Sequence, residues 1–263
     1  MALRLVQVSV RARDGAALGP FWAEALGRDV SSGAPGVTHV EPLRPDAAAV
    51  HADGVTGPEA LSGRVHLAVV TVPDPEAVRG RVHLDLATTS AAHQAELVAR
   101  LIELGATPAD VGQGDVPWTV LADPEGNVFC VLEPRETYRD TGPIAAVVVD
   151  CADPRAMARF WGETVGWTPH EVTDAYARLR SGVGPYLEFL RTTPGPKSAR
   201  NRLHLDLLPY PDDDRAAEVA RLRALGATPA AMDQRSWTVL ADVGQHAWTA
   251  LADPEGNPFR VLA

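Results

Sequence analysis

The stretch Asp123-Pro-Glu-Gly-Asn127 occurs a second time as Asp253-Pro-Glu-Gly-Asn257. In each copy it lies between two short apolar runs, and a glycine at its fourth position tolerates the positive φ of a tight hairpin turn. We therefore expect each pentapeptide to be a structural turn that joins two neighbouring strands. Its full recurrence also indicates that the chain contains an internal duplication.

Three further motifs recur in the same order. The pairs are Phe21-Trp22 with Phe160-Trp161, Arg81-Val-His-Leu-Asp-Leu86 with Arg202-Leu-His-Leu-Asp-Leu207, and Leu104-Gly-Ala-Thr-Pro108 with Leu225-Gly-Ala-Thr-Pro229. The sequence therefore predicts two similar domains, residues 1–134 and 143–263, joined by a polar linker at residues 135–142. The drifting spacing of the motifs predicts insertions within residues 31–62 and 230–240. The second insertion either narrows access to a site in the second domain or is a tolerated surface loop.

Each half repeats a pattern of one strand, one helix and three strands. In the first half, residues 3–12 alternate as a strand, residues 15–26 have apolar side chains at helical spacing, and residues 65–72 form an apolar strand. Residues 81–86 then begin a second unit, and residues 91–104 form an amphipathic helix that ends at a glycine. The predicted fold class is therefore α+β, with two βαβββ modules in each of two tandem domains.

The composition excludes several classes of partner. The chain has 263 residues and a formal net charge of -10, so nucleic acid and anionic membranes are not expected partners. No apolar run approaches the roughly 20 residues that cross a bilayer, and the N-terminus is typical of a strand rather than a signal peptide. We expect a cytoplasmic protein. Its two cysteines, Cys130 and Cys151, are expected to be small buried apolar residues.

The chain resembles the vicinal-oxygen-chelate superfamily. The resemblance rests on the order of the modules and on three motifs, namely Phe-Trp before Leu-Gly, the His-Leu-Asp-Leu strand and the Asp-Pro-Glu-Gly-Asn hairpin. That superfamily includes glyoxalase I, bleomycin-resistance proteins and extradiol dioxygenases, and the chain is most similar to its glyoxalase-like branch. The resemblance implies that paired modules curl into a cupped, mixed, eight-stranded sheet around a cavity. It also implies that enzymes of this group hold a divalent metal there.

The metal positions of the superfamily can be carried over by residue. In the first domain they fall on Gln7, Leu67, His83 and Cys130, and in the second on Ala146, Glu188, His204 and Arg260. Neither set supplies the three good ligands that a divalent ion needs, so we expect no metal cofactor. The alternative is a shift of one residue in strand register, which would allow Gln7, His66 and His83 to hold a divalent metal.

The second domain carries the richer set of predicted ligand-binding residues. The resemblance implies that Tyr186, Glu188, His204 and Arg260 converge in one cup, with His204 and Glu188 as catalytic candidates. An Arg260–Glu188 salt bridge that fills an abandoned metal site is the structural alternative. Trp118 and Trp248, just before the hairpins, either stack on a planar ligand or pack in the core, whereas Trp22 and Trp161 are expected to be core residues.

The strands at residues 81–86 and 202–207 place polar side chains on one face. Arg81, His83 and Asp85 share that face because alternate residues of a strand point the same way. The set is either a structural ladder, in which Asp85 pairs with Arg81, or a general acid-base pair of Asp85 and His83. Gln7 and His83 are the predicted ligand-binding residues of the first domain.

Three functions remain compatible with these features. We expect a metal-independent protein that binds a small molecule in a cupped cavity, as a monomer or homodimer. The alternative is an enzyme of the same superfamily, either a metal-dependent lyase or dioxygenase or a metal-free acid-base catalyst. A purely structural duplicate is the third possibility.

Overall fold

The structure is a computed structural model that describes residues 2–32, 35–42, 65–73, 75, 80–192, 201–230 and 248–263. Both predicted insertions, including the segment that either narrows a site or is a surface loop, lie largely outside these residues. Four α-helices and sixteen strands are present in the described part of the chain. Among its helices, none has the length and apolar character needed to cross a membrane.

The first half of the chain contains two βαβββ modules. Module 1 consists of β1 (Arg4–Ala12), α1 (Gly15–Leu26), β2 (Arg28–Ser32), β3 (Val37–Pro42) and β4 (His66–Thr71). Module 2 consists of β5 (Val82–Leu86), α2 (Ala91–Glu103), β6 (Thr107–Pro108), β7 (Thr119–Ala122) and β8 (Val128–Val131). A short 3-10 turn, Glu136–Tyr138, follows in the linker.

The second half repeats the same order of elements. Module 3 consists of β9 (Ile144–Cys151), α3 (Pro154–Val165), β10 (Thr168–Val172), β11 (Tyr176–Arg180) and β12 (Tyr186–Arg191). Module 4 consists of β13 (Leu203–Leu208), α4 (Arg215–Ala224), β14 (Thr228–Pro229), β15 (Thr249–Ala252) and β16 (Pro258–Val261). The α+β class and the duplication are therefore confirmed.

Local sequence accounts for the ends of the equivalent helices α1 and α3. Asp14 and Asp153 cap their N-termini, each accepting a hydrogen bond from a backbone N–H three residues later. Gly27 and Gly166 follow the last helical residue with φ of 57° and 67°, in the left-handed conformation that glycine adopts without strain. Repeated caps and repeated glycines therefore give both helices a length of 12 residues.

The modules pair between the two halves of the chain. Sheet A, in the order β14-β15-β16-β13-β1-β4-β3-β2, joins module 4 to module 1. Sheet B, in the order β10-β11-β12-β9-β5-β8-β7-β6, joins module 3 to module 2. In both sheets the central contact is antiparallel, β1 with β13 and β5 with β9. The expectation that the two modules of one half share a cup is therefore corrected, because each eight-stranded sheet combines both halves.

Contacts between the Phe-Trp helix and the Asp-Pro-Glu-Gly-Asn turn join the two modules of one half. The Nε1–H of Trp22 donates to Asp123 Oδ2 at 3.1 Å, and the Trp22 ring packs edge-on against Phe129. The carboxylate of Glu125 accepts the backbone N–H groups of Arg13 and Asp14 at 2.7 Å. Two of the repeated motifs thus form one structural interface between modules.

The second half has the same interface, with Trp161 donating to Asp253 and Glu255 accepting two N–H groups at the start of α3. Gly126 and Gly256 have φ of 86° and 88° in the two turns. The structural role predicted for the pentapeptides is confirmed, as is the core position of Trp22 and Trp161, each 1% exposed.

Candidate functional site

Sheet B encloses a cavity of about 890 Å³, hereafter the sheet-B cavity. This volume is in the range of sites that hold small organic molecules. One side of the cavity is apolar and is formed largely by residues of module 2: Ala109, Val111, Val116, Trp118, Val120, Val128 and Leu132. Polar residues line the rest, and they come from both halves of the chain and from the linker.

Strand register explains which polar side chains meet in the sheet-B cavity. His83 lies opposite Val148, Val148 opposite Glu188, and Glu188 opposite Arg178, so these residues form one row across four strands. The neighbouring row is Cys130, Asp85, Ala146 and Tyr186. Residues paired in register point to the same face of a sheet. Small side chains at Val148 and Ala146 therefore separate an acidic pair of residues, Asp85 and Glu188, that come from different halves.

Glu188 is held in place by two neighbours. Its Oε1 accepts a hydrogen bond from the Tyr138 hydroxyl at 2.9 Å, and the Nε of Arg178 lies 3.6 Å from the same oxygen. Burial raises the pKa of Glu188, while Arg178 and the Tyr138 hydroxyl act in the opposite direction. Burial and the nearby carboxylate raise the pKa of Tyr138. The linker therefore contributes a wall of the cavity and a partner for its buried carboxylate.

Asp85 lies near the centre of the sheet, between His83 and Cys130. Burial, and then the negative charge of Glu188, raise the pKa of Asp85 to about 7. The Nε2 of His83 is 3.5 Å from Asp85 Oδ1, and that oxygen is buried without a hydrogen-bond partner. Burial and the neighbouring Asp85 also raise the pKa of the Cys130 thiol. The centre of the cavity thus contains a carboxyl group with unused hydrogen-bonding capacity.

Trp118 and Arg135 form the edge of the cavity near the linker. The Arg135 guanidinium lies over the Trp118 ring, 5.4 Å from its centroid, and it pairs with Glu133 at 2.6 Å. Trp118 also packs beside the cluster around Val120 and Tyr138. One face of this tryptophan is therefore used by Arg135, and the residue contributes to the cavity lining.

The corresponding face of sheet A, which carries Gln7, Ser9, His204, Asp206 and Arg260, is filled by its own polar side chains. Arg260 is completely buried and donates through Nε to Asp206 Oδ1 at 2.6 Å and through Nη2 to Ser9 Oγ at 2.8 Å. Gln7 donates to Asp206 Oδ2 at 2.9 Å. Burial and the Arg260 charge lower the pKa of His204 to about 4. A buried ionic network thus occupies the face that is open in sheet B.

The structure divides the predicted site residues between the two sheets. Glu188, His83 and Trp118 line the sheet-B cavity, and Tyr186 is buried beside it against Tyr138. The other four, Gln7, His204, Arg260 and Trp248, belong to module 1 or module 4 and hence to the sheet-A side. Their ligand-binding roles stay predictions, but the expected convergence of Glu188 and Tyr186 with His204 and Arg260 is wrong.

Two further sets of residues that were expected to lie together are also separated, because the modules pair between the halves of the chain. Arg260 pairs with Asp206 rather than with Glu188. Gln7 and His66 are register partners on sheet A, and Leu67 lies in the apolar core. His66 therefore shares a face with Gln7 without the shift of one residue in strand register that the alternative required. His83 lies on sheet B, so the alternative metal set of Gln7, His66 and His83 is not assembled. Pairing between halves, rather than within a half, separates these residues.

Three charged or aromatic residues of the cavity were not predicted from the sequence as site residues. Arg178 and Tyr138 were not singled out, and Arg135 was treated only as part of a linker. The alternation Tyr176, Arg178, Arg180 on one strand was a usable signal, because it places a polar face on β11. No local signal marked Tyr138, since its contact with Glu188 spans 50 residues.

The centre of the sheet-B cavity also contains a possible metal-binding group. His83, Asp85 and Cys130 offer donor atoms that all lie within 4.8 Å of one another. Nitrogen, carboxylate oxygen and sulfur are zinc donors, and three protein ligands suffice for a site with an open position. The residues therefore fit a zinc-type ion. Because the pKa values of Asp85 and Cys130 are raised, the ion would have to compete with protons for both groups.

Paired βαβββ modules in two eight-stranded sheets, one of them with an open cavity, define a protein of the glyoxalase, bleomycin-resistance and dioxygenase superfamily. The chain belongs to the glyoxalase-like domain family, whose model matches residues 7–132 and again residues 146–262. A search of curated proteins gave no significant match.

Solved structures share the whole arrangement. Glyoxalase I from Zea mays superimposes with a TM-score of 0.57 at 15% identity, covering 99% of this chain and 92% of that chain. A putative dioxygenase from Bacillus subtilis subsp. subtilis str. 168 gives a TM-score of 0.54 at 12% identity, covering 99% and 85%. At these identities the likeness concerns the fold alone.

Proposed function

We propose that this chain binds a small organic molecule in the sheet-B cavity and that binding does not require a metal ion. The observation that carries the proposal is the cavity itself, in which an apolar wall faces a small set of convergent polar groups. This combination is typical of small-molecule sites, because apolar contact supplies affinity and a few polar groups fix orientation. The cavity combines residues of both halves, so the duplicated chain forms it as one unit.

The contrast between the two sheets supports this assignment. On sheet A, the Arg260 guanidinium and the Asp206 carboxylate satisfy each other and are both fully buried. On sheet B, the equivalent position to Arg260 is Cys130, a much smaller side chain, and the Asp85 carboxyl is left beside the cavity. Replacing a large buried cation by a small thiol leaves space where a ligand fits.

A metal-dependent enzyme of the same superfamily is the second candidate. It is favoured by one observation, the donor group of His83, Asp85 and Cys130 within 4.8 Å. A divalent ion held there would supply a Lewis acid that polarises a substrate oxygen.

A ligand screen before and after chelation separates these candidates. Elemental analysis of the purified chain measures bound zinc, iron, nickel and manganese, and a chemically diverse library is then screened by thermal unfolding. A ligand at 100 times its Kd adds about 2.7 kcal/mol to the free energy of unfolding. Equal stabilisation of untreated and chelator-treated protein supports metal-independent binding. Stabilisation that is lost on chelation and restored by zinc supports the second candidate, and a library with no ligand contradicts both.

The partner, the oligomeric state and the cellular location of the chain are predicted from its sequence alone. A monomer or homodimer in the cytoplasm, with a small molecule as its partner, remains our prediction. Size-exclusion chromatography with light scattering determines the oligomeric state.

A further inference from the structure

In the described lining of the sheet-B cavity, the buried Oδ1 of Asp85 accepts no hydrogen bond. We propose that the ligand is an organic cation with an aromatic or other flat apolar body, and that its charged N–H group donates to Asp85 while the body lies on the Trp118 side. This inference rests on the proposed function, since it names the ligand class of the same cavity.

The carboxyl group of Asp85 is the contact that we propose for the charged group of the ligand. Its side chain is 13% exposed, and its Oδ1 accepts no hydrogen bond although the oxygen is buried. A buried carboxylate oxygen without a donor costs free energy that a ligand N–H group recovers. The Cys130 thiol bonds to the same carboxyl, and His83 Nε2 lies 3.5 Å from Oδ1, at the limit of a hydrogen bond. When Asp85 is ionised, the unused position on its carboxylate takes a donor rather than an acceptor.

The arginines that line the cavity already lie close to carboxylate or carbonyl oxygens of the protein. Arg178 lies between Glu188 and Glu171, at 3.6 Å and 3.9 Å, and its guanidinium is 4.9 Å from the centroid of the Tyr176 ring. Arg135 forms two hydrogen bonds with Glu133. An anionic ligand would compete with these carboxylates for the arginines, whereas a cation leaves both pairs intact. The charge arrangement therefore disfavours an anion.

The acidic groups outnumber the arginines around the cavity. Among its described lining residues, five are acidic, namely Asp85, Asp110, Glu125, Asp150 and Glu188, and three are arginines. Repulsion between Asp85 and Glu188 is one cause of the electrostatic cost at the centre of the sheet. A positive group beside Asp85 reduces both this repulsion and the cost of burying the carboxylate. The surroundings therefore add to the preference for a cation.

The apolar side of the cavity selects the body of the ligand. Trp118 and a group of valines, Val111, Val116, Val120 and Val128, form this side, and the site has room for a drug-sized molecule at about 890 Å³. A flat ring buries much apolar area against such a surface and stacks favourably on an indole. An amine attached to a ring by a short chain therefore matches both parts of the site.

Three probes that share one ring test the charge preference. Tryptamine is cationic, tryptophol is neutral and indole-3-acetate is anionic, and all three carry the same indole. Their affinities are measured by calorimetry at pH 8 on the chelator-treated full chain. We expect tryptamine to bind at least about tenfold tighter than the other two. Equal or tighter binding of tryptophol or indole-3-acetate overturns the inference and leaves the proposed function in place.

Two aspartate variants test the assigned contact. Asp85→Asn keeps the shape of the side chain and removes its charge, so the preference for tryptamine over tryptophol should fall to less than about threefold. The control is Asp115→Asn, an exposed aspartate that does not line the cavity, where solvent screens the charge and the preference should be kept. Persistence of the preference in Asp85→Asn overturns the assignment.

The three-probe comparison on the unmodified chain does not depend on how well either variant folds. If none of the three probes binds, the inference is overturned. The proposed function fails only if the diverse library also yields no ligand.

Discussion

Arg260 and Asp206 form a completely buried ion pair on neighbouring parallel strands, with Arg260 Nε donating to Asp206 Oδ1 at 2.6 Å. The pair fills the face of sheet A at the position where the superfamily resemblance implies a metal in its enzymes. Ser9 and Gln7 complete the network from β1. Sheet A thus carries its own internal cation, and this is why the ligand site is proposed on sheet B.

Breaking this pair on one side should destabilise the fold strongly. Asp206→Ala leaves the Arg260 charge buried without a carboxylate, so the free energy of unfolding should fall by about 3–5 kcal/mol. Urea unfolding of the single variants Asp206→Ala and Arg260→Ala, and of the double variant Asp206→Leu with Arg260→Leu, measures the effect. The double variant should lose less than Asp206→Ala, because no unpaired charge is left. Losses below about 1 kcal/mol in the single variants would contradict the role assigned to the pair.

The two sheets should respond differently to the same large side chain. Val148 and Ser9 are equivalent residues of the repeat on β9 and β1. Val148→Phe should block the sheet-B cavity and abolish ligand binding while changing stability by less than about 1 kcal/mol. Ser9→Phe should cost at least about 3 kcal/mol, because it crowds Arg260 and removes three hydrogen bonds. Thermal unfolding and calorimetry on both variants compare the sheets, and equal stabilities would count against the proposed asymmetry.

The module interface should depend on the Trp22 side chain. Trp22→Phe keeps an aromatic ring but removes the donor to Asp123 and leaves a small void, so we expect a loss of about 1–3 kcal/mol in the free energy of unfolding. Trp118→Phe is the matched control, because Trp118 lies at the cavity rather than in this interface. Chemical denaturation should show a smaller loss for the control. A larger loss for Trp118→Phe would refute the assignment.

His204 should make the fold sensitive to mild acid. Its pKa is lowered to about 4, first by burial and then by Arg260, while Asp206 acts in the opposite direction and Arg11 adds to the lowering. Below about pH 6.5 the unfolded chain binds a proton at this histidine, whereas the folded chain does not until about pH 4. The contribution of His204 is therefore fully present above pH 6.5 and is lost as the pH falls towards 4, by up to about 3 kcal/mol.

Denaturation at several pH values measures this effect. His204→Gln should reduce the loss of stability between pH 6.5 and 4, relative to the unmodified chain. The exposed His170→Gln serves as control and should leave the pH profile unchanged. An unaltered profile in His204→Gln would show that this histidine does not titrate as assigned.

Several features were predictable because their causes are local. The four modules, the glycine ends of α1 and α3 and the turns at Gly126 and Gly256 follow from patterns that span a few residues. The same holds for the face shared by His83 and Asp85, because alternation along a strand is a property of the backbone. The internal duplication was equally predictable, since the four motifs recur in the same order in both halves of the chain.

The sequence by itself determined the modules and their repetition, while only the tertiary structure decided which modules share a sheet. All four modules present a similar first strand, so pairing within a half and pairing between halves satisfy the same local patterns. Tyr138 and Glu188, or Arg260 and Ser9, meet only after β9 has paired with β5 and β13 with β1. Strand pairing joins residues far apart in the chain, and the composition of each site depends on that choice.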